Sequence, residues 1–188
     1  MARAKATAER YSRKDWLHEA LQVLAAQGPN KLNIGHLCKA LGVSRGSFYW
    51  HFKDRTDFVR QLLELWHSEY SAKMAEEVEQ LGGSGRDRFK RLVTVVLARD
   101  LTRFDMPIRS WAMQEPEVAA LVTRTDQYRL DYIIKLLSEA GFSGPQLNAR
   151  ARMALAGLTM HEHLLDRRGQ QTPEESARII CDIICGDH

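Results

Sequence analysis

The stretch Asn33–Ile34–Gly35–His36–Leu37–Cys38–Lys39–Ala40–Leu41–Gly42–Val43–Ser44–Arg45–Gly46–Ser47–Phe48–Tyr49–Trp50–His51–Phe52–Lys53 reads as two short helices joined by a glycine turn. Ile34, Leu37, Cys38 and Leu41 recur at i, i+3, i+4, i+7, which places one apolar stripe on a helix. Gly42 can take the left-handed backbone that ends that helix, and Ser44 suits the N-cap of the next. The second helix opens on small residues, Gly46 and Ser47, and carries Tyr49, Trp50, His51 and Lys53. Small side chains let its N-terminus approach a surface closely. A helix-turn-helix lays such a helix in the DNA major groove.

Upstream, Ser12–x–x–Asp15 has the form of a capping box, with Leu17, Ala20, Leu21 and Leu24 as the stripe behind it and Gly28–Pro29 as the stop. Three helices then share one small core, with Phe48 and Phe52 turned inward beside Val43. Met1–Tyr11 holds Arg3, Lys5 and Arg10 among alanines. It reads either as a basic arm for phosphates or the minor groove, or as a plain tail. Downstream, Asp54–x–x–Asp57 opens a fourth helix with Val59, Leu62, Leu63, Trp66 and Tyr70 on one side, running to about Leu81. Gly82–Gly83–Ser84–Gly85 breaks it. A helix of that length, starting directly after the motif, is a lever between a head and a body. The division therefore falls as 1–53 and 54–188.

The body alternates helices with punctuation. Arg86–Arg103 carries Phe89, Leu92, Val93 and Val96; Pro107 permits a short helix with Trp111; Pro116 opens a pattern running to Ala140. Ser143–x–x–Gln146 and Thr172–Pro173–Glu174–Glu175 cap helices over about Pro145–Arg168 and Pro173–Cys185. No segment alternates with a strand period. The expected fold is all-α: a three-helix helix-turn-helix head joined by a long helix to a helical body, about nine helices in all.

The chain of 188 residues has a net charge of only +3. The charge is uneven: Met1–Arg60 holds eleven Lys/Arg against five Asp/Glu, and the remainder sixteen against nineteen. A basic head on a near-neutral body suits a polyanionic partner. Three cysteines, Cys38, Cys181 and Cys185, form no disulfide framework and point to a reducing compartment. No apolar run suits a membrane span, and no apolar core of a signal peptide opens the chain.

Residues Lys31–Arg60 resemble the signature of the tetracycline-repressor (TetR) family of bacterial transcription regulators. The resemblance lies in Leu37, Ala40, Gly42, Val43–Ser44, Ser47–Phe48–Tyr49 and above all Tyr49–Trp50–His51–Phe52–Lys53. It implies a cytoplasmic homodimer, at the nucleoid when bound, whose heads grip a palindromic double-stranded operator and whose body takes a small effector that releases it, as in a repressor. It carries DNA contact onto Arg45, Ser47, Tyr49, Trp50, His51 and Lys53, with Asn33 capping the supporting helix. The chemistry agrees: Ser44, Ser47, Tyr49, Lys53 and the amides around Gly46 suit phosphates, and Arg45 suits a guanine edge. Trp50 and His51 have a second reading, as packing on the first helix. Gly35 departs from the family, which often has a longer polar residue there, so one contact from the supporting helix is expected to be missing.

The dimer is expected from the last two helices, through Leu155 and Leu158 on one and Ala177, Ile180, Cys181 and Ile184 on the other. The effector is expected to be a partly apolar molecule bound among Phe89, Arg109, Trp111, Met113, Tyr128, Met153 and His161. Metal ligation by His161 and His163, or by Cys181, Cys185 and His188, is weaker. Residues i and i+2 diverge on a helix, and the cysteines sit among isoleucines. No metal and no cofactor are expected. No nucleophile elbow, phosphate loop, dinucleotide loop or HExxH is present, so an enzyme has no support. The competing reading is a small all-helical binding or thiol- or metal-sensing protein using Cys181 and Cys185, its basic head incidental.

Overall fold

The computed structural model describes residues 11–161 and 171–186. Residues 1–10 of the basic arm, His163, His188 and the end of the helix expected to reach Arg168 lie outside the described residues. Among the described residues there are nine α-helices and no strand. They are α1 (Arg13–Gln27), α2 (Ile34–Leu41), α3 (Arg45–His51), α4 (Arg55–His67, continued by Ser68–Ala72 and Lys73–Gln80), α5 (Gly85–Ala98), α6 (Asp105–Ala112), α7 (Pro116–Glu139), α8 (Gly144–Met160) and α9 (Pro173–Ile184). No described helix is long and apolar enough to cross a membrane.

The chain forms two compact units. One runs to Trp66 and includes Pro107–Val122; the other comprises His67–Met106 and the chain from Thr123 onward. The first unit therefore does not stop at Lys53. Phe58 on α4 sits 5.5 Å from Phe48 and 5.1 Å from Phe52, ring centre to ring centre, and binds the start of α4 to the three-helix core. Trp16, fully buried, meets Phe48 edge-on at 5.7 Å and Phe52 at 6.3 Å. Such pairs add about 0.5–1.5 kcal/mol beyond the area they bury.

Local sequence explains the helix ends. Ser12 accepts from the Asp15 amide while Asp15 accepts from the Ser12 amide, and Thr172 and Glu175 repeat the arrangement at α9. A third such box, Ser84 with Asp87, starts α5 inside the glycine-rich break. α5 ends at Ala98, five residues short of the expected Arg103, and turns occupy the gap. Gly85 is required by packing. A Cβ there would lie 2.3 Å from the Leu136 carbonyl oxygen and 2.6 Å from the Ala140 nitrogen.

Within α4 the stretch Ser68–Ala72 is a π-type turn. The wide turn inserts one residue, so the inward position after Trp66 is Ser71 and not the expected Tyr70, which stays half-buried. Met74, Ala75 and Val78 then continue the inward side.

The core of the second unit gathers Val78, Phe89, Val93, Leu136, Leu137 and Ala154 with the inner side of α9. Much of the stripe expected at the dimer contact is packed here. Ala177, Cys181 and Ile184 are 0%, 2% and 6% exposed, and Leu158 is equally buried. Leu155 and Ile180 pack partly buried on the same core. α9 lies on α5, where Arg86 donates to the Cys185 carbonyl at 2.7 Å. The stripe expected to join two chains is used inside one. The apolar residues left outside are Ala149, Met153, Ala156, Gly157 and Met160 along one side of α8, and Ile183 on α9.

Candidate nucleic-acid interface

The supporting helix α2 is held at both ends. The Asn33 side chain accepts from the His36 amide at 2.9 Å. Gly42 takes a left-handed backbone, φ 65°, and the Val43 amide closes the turn on the Cys38 carbonyl at 2.9 Å. Ser44 occupies the N-cap of α3 with an extended backbone, but its side chain makes no capping bond. Its hydroxyl therefore stays on the exposed side.

Burial of Phe48 and Phe52 fixes how α3 is rolled. Tyr49 and Trp50 are 58% and 66% exposed, and Ser44, Arg45, Gly46 and Lys53 are exposed with them. Two expected residues depart from this group. Ser47 is fully buried and its hydroxyl has no partner among the described residues, so it faces the core. His51 is half-buried, its ring 6.4 Å from Trp16 and 6.2 Å from Phe52, which is the packing alternative. Trp50 takes the exposed alternative.

An open groove of about 280 Å³ runs beside this face, lined by Asn33, Ile34, Gly35, Arg45, Tyr49 and Arg55. None of these described lining residues is itself acidic. The Arg45 guanidinium lies over the bare backbone of Gly35, with Nη2 3.4 Å from where a Cβ would stand. The guanidinium thus packs against the place where a side chain on α2 would begin. Arg55 was not among the expected residues; its signal is only that it is a cation two places after Lys53. Its guanidinium donates to both oxygens of Glu115, at 2.7 and 3.3 Å. The turn from α3 into α4 is tied by Asp57, which accepts from the Gln61 amide at 2.9 Å, the Lys53 backbone at 3.1 Å and Arg60 at 2.7 Å. These bonds, that of Gln61 foremost, hold the Asp57 carboxyl down to about 2.

The second unit contains a cavity of about 40 Å³ lined by apolar side chains, among them Leu92, Val96, Ile133 and Leu158, with Tyr128, Arg129, Thr102 and Thr159. Of the expected effector residues only Tyr128 lines it. Phe89 is fully buried in the core; Met113 and Met153 are 89% and 63% exposed; His161 is half-buried at the end of α8. Arg109 and Trp111 belong to the other unit. The polar corner was missed: Arg129 donates to Ser71 at 2.8 Å and clasps the buried Asp105. Burial places Cys181 and Cys185 in the core, away from solvent.

Residues 17–62 match the family described as bacterial regulatory proteins, tetR family. The HTH-type transcriptional regulator AcrR of Shigella flexneri is 38% identical over 80 residues, 39% of this chain and 37% of that protein. The chain thus matches little more than a third of AcrR. The HTH-type transcriptional repressor BepR of Brucella suis biovar 1 (strain 1330) is 25% identical over 191 residues, 98% of this chain and 79% of that protein. A TetR-family regulator from Bordetella parapertussis 12822 shares the fold at TM-score 0.72 and 16% identity, over 94% of this chain and 95% of its own. AibR, solved with isovaleryl coenzyme A and operator DNA, shares it at TM-score 0.71 and 12% identity, over 91% and 96%.

Proposed function

Because the chain belongs to the tetR family of bacterial regulatory proteins through its residues 17–62, we propose that it is a one-component repressor. It binds a palindromic operator as a homodimer in the bacterial cytoplasm, and a small effector releases it. Residues 1–53 serve as the reading head, supported by the start of α4 in the same compact unit, and 54–188 otherwise supply the effector-binding and dimerising body. The observation that carries this reading is the exposed face of Ser44, Arg45, Gly46, Tyr49, Trp50 and Lys53 beside a groove lined by Arg45 and Arg55. Tyr49 and Lys53 hold phosphates; Arg45, braced over Gly35, reads a base edge.

The proposed dimer uses the side of α8 that carries Ala149, Met153, Ala156, Gly157 and Met160, with Ile183 of α9. Small residues there let two helices approach closely around a two-fold axis. Paired heads then read half-sites one DNA turn apart. The effector is a small, mostly apolar molecule entering the cavity beside Tyr128 and Arg129. At about 40 Å³ the cavity is far below the ~300–1,000 Å³ of ordinary ligand sites, so uptake must part the helices around it. A ligand that favours the parted state draws the population toward it.

The reading is tested by selecting bound sequences from a random duplex pool and titrating salt. Binding should weaken by about three decades between 50 and 200 mM salt. Tyr49→Ala with Lys53→Ala should weaken binding to all sequences alike, whereas Arg45→Ala should relax preference at one position. Binding that ignores salt and survives the double substitution would sink the assignment.

A further inference from the structure

We propose that Glu115 withholds Arg55 from DNA: the carboxylate and a backbone phosphate compete for one guanidinium at the edge of the reading face. The inference rests on the DNA-binding function proposed above and concerns how much of that face is available.

Arg55 and Arg45 are the two cations of the groove beside α3. Among the described residues Arg45 and Lys53 have no ion pair, whereas Arg55 is gripped at both ends of its fork by Glu115. Both partners belong to the same compact unit. Glu115 stands in the turn before α7, anchored by its amide on the carbonyl of buried Trp111 at 3.2 Å and by its own carbonyl on the Ala119 amide at 3.1 Å. It therefore holds Arg55 from a fixed point.

The pair is also breakable. The Arg55 and Glu115 side chains are 51% and 35% exposed, and exposed pairs contribute little net stability. A phosphate presents two oxygens to the same fork as the carboxylate it displaces, so the exchange replaces like with like. In wild type, DNA must release Glu115 to recruit Arg55, and the freed carboxylate then gathers a counterion that offsets one released from DNA. By linkage, whatever tightens Glu115 on Arg55 weakens DNA to the same degree.

The test measures anisotropy of a fluorescein-labelled random-sequence duplex against wild type, Glu115→Gln, Arg55→Gln and the double variant across a salt series. Glu115→Gln keeps an acceptor for the Trp111 indole. It should raise affinity about two- to fivefold and steepen the salt slope by up to about one. In the Arg55→Gln background the gain should vanish. Glu115→Asp keeps the charge, shortens the reach and should raise affinity by a smaller factor. Wild type that ignores the duplex overturns the DNA function and this inference with it. Wild type that binds while Glu115→Gln matches it, or a gain that persists without Arg55, overturns the inference alone.

Discussion

Arg129 clasps Asp105 through two parallel hydrogen bonds, Nη1 to Oδ2 at 2.5 Å and Nη2 to Oδ1 at 3.2 Å, with the carboxylate wholly buried. Removing one partner strands a buried charge. Arg129→Met should therefore lower unfolding free energy by about 3–5 kcal/mol, and adding Asp105→Leu should restore much of it. Urea denaturation of both variants checks this; a double variant no better than the single would show that the pair is not the cause.

Gly85→Ala should destabilise by about 1–3 kcal/mol, because its methyl group would have to share space with the backbone of α7 near Leu136 and Ala140. Helix propensity alone would predict the opposite sign. The melting temperature of the variant decides between them.

Asp57 makes stability acid-dependent. Its carboxyl is held at about 2 in the fold against an ordinary 3.8, so the unfolded chain takes up the proton first as pH falls. The contribution is complete above about 3.8 and is lost as pH drops through about 2. Asp57→Asn should melt lower at neutral pH and lose less between about pH 4 and 2 than wild type. Parallel loss in both proteins would assign the acid sensitivity elsewhere.

The outer face shared by α8 and α9 and the inner side of α9 should behave differently. Met153→Glu with Ile183→Glu should give a folded monomer by light scattering with unchanged circular dichroism. Cys181→Glu should unfold the chain, since it places a charge in the core beside α5. A Met153/Ile183 variant that remains dimeric would move the interface off this face.

The head was legible because its signals are local. Capping residues, the Gly42 turn and the Phe48/Phe52 spacing all act within a few residues of one another. Ser47 was misplaced although its own spacing held the answer: 47, 48, 51 and 52 form one inward side of a short helix. The body was less legible for a geometric reason. α9 carries apolar residues on both sides, and periodicity alone does not say whether Ala177–Cys181–Ile184 or Ile179–Ile183 meets α5. The cavity joins side chains from α4, α5, α7 and α8, far apart along the chain, so no spacing announces it. The wide turn at Ser68–Ala72 left no composition signal either, and it moved the inward position from Tyr70 to Ser71.

The distribution of sulfur bears on chemical wear. Cys38, Cys181 and Cys185 are at most 5% exposed, whereas Met113, Met153 and Met160 are 89%, 63% and 39% exposed. A dissolved peroxide meets thioethers before it meets a thiol. Sulfoxide at Met153 and Met160 would turn the outer side of α8 from apolar to polar while the cysteines stayed reduced. Oxidative ageing of this protein should thus register first at Met113, as added oxygen on its peptide, and reach Met153 and Met160 only where the α8 face is uncovered.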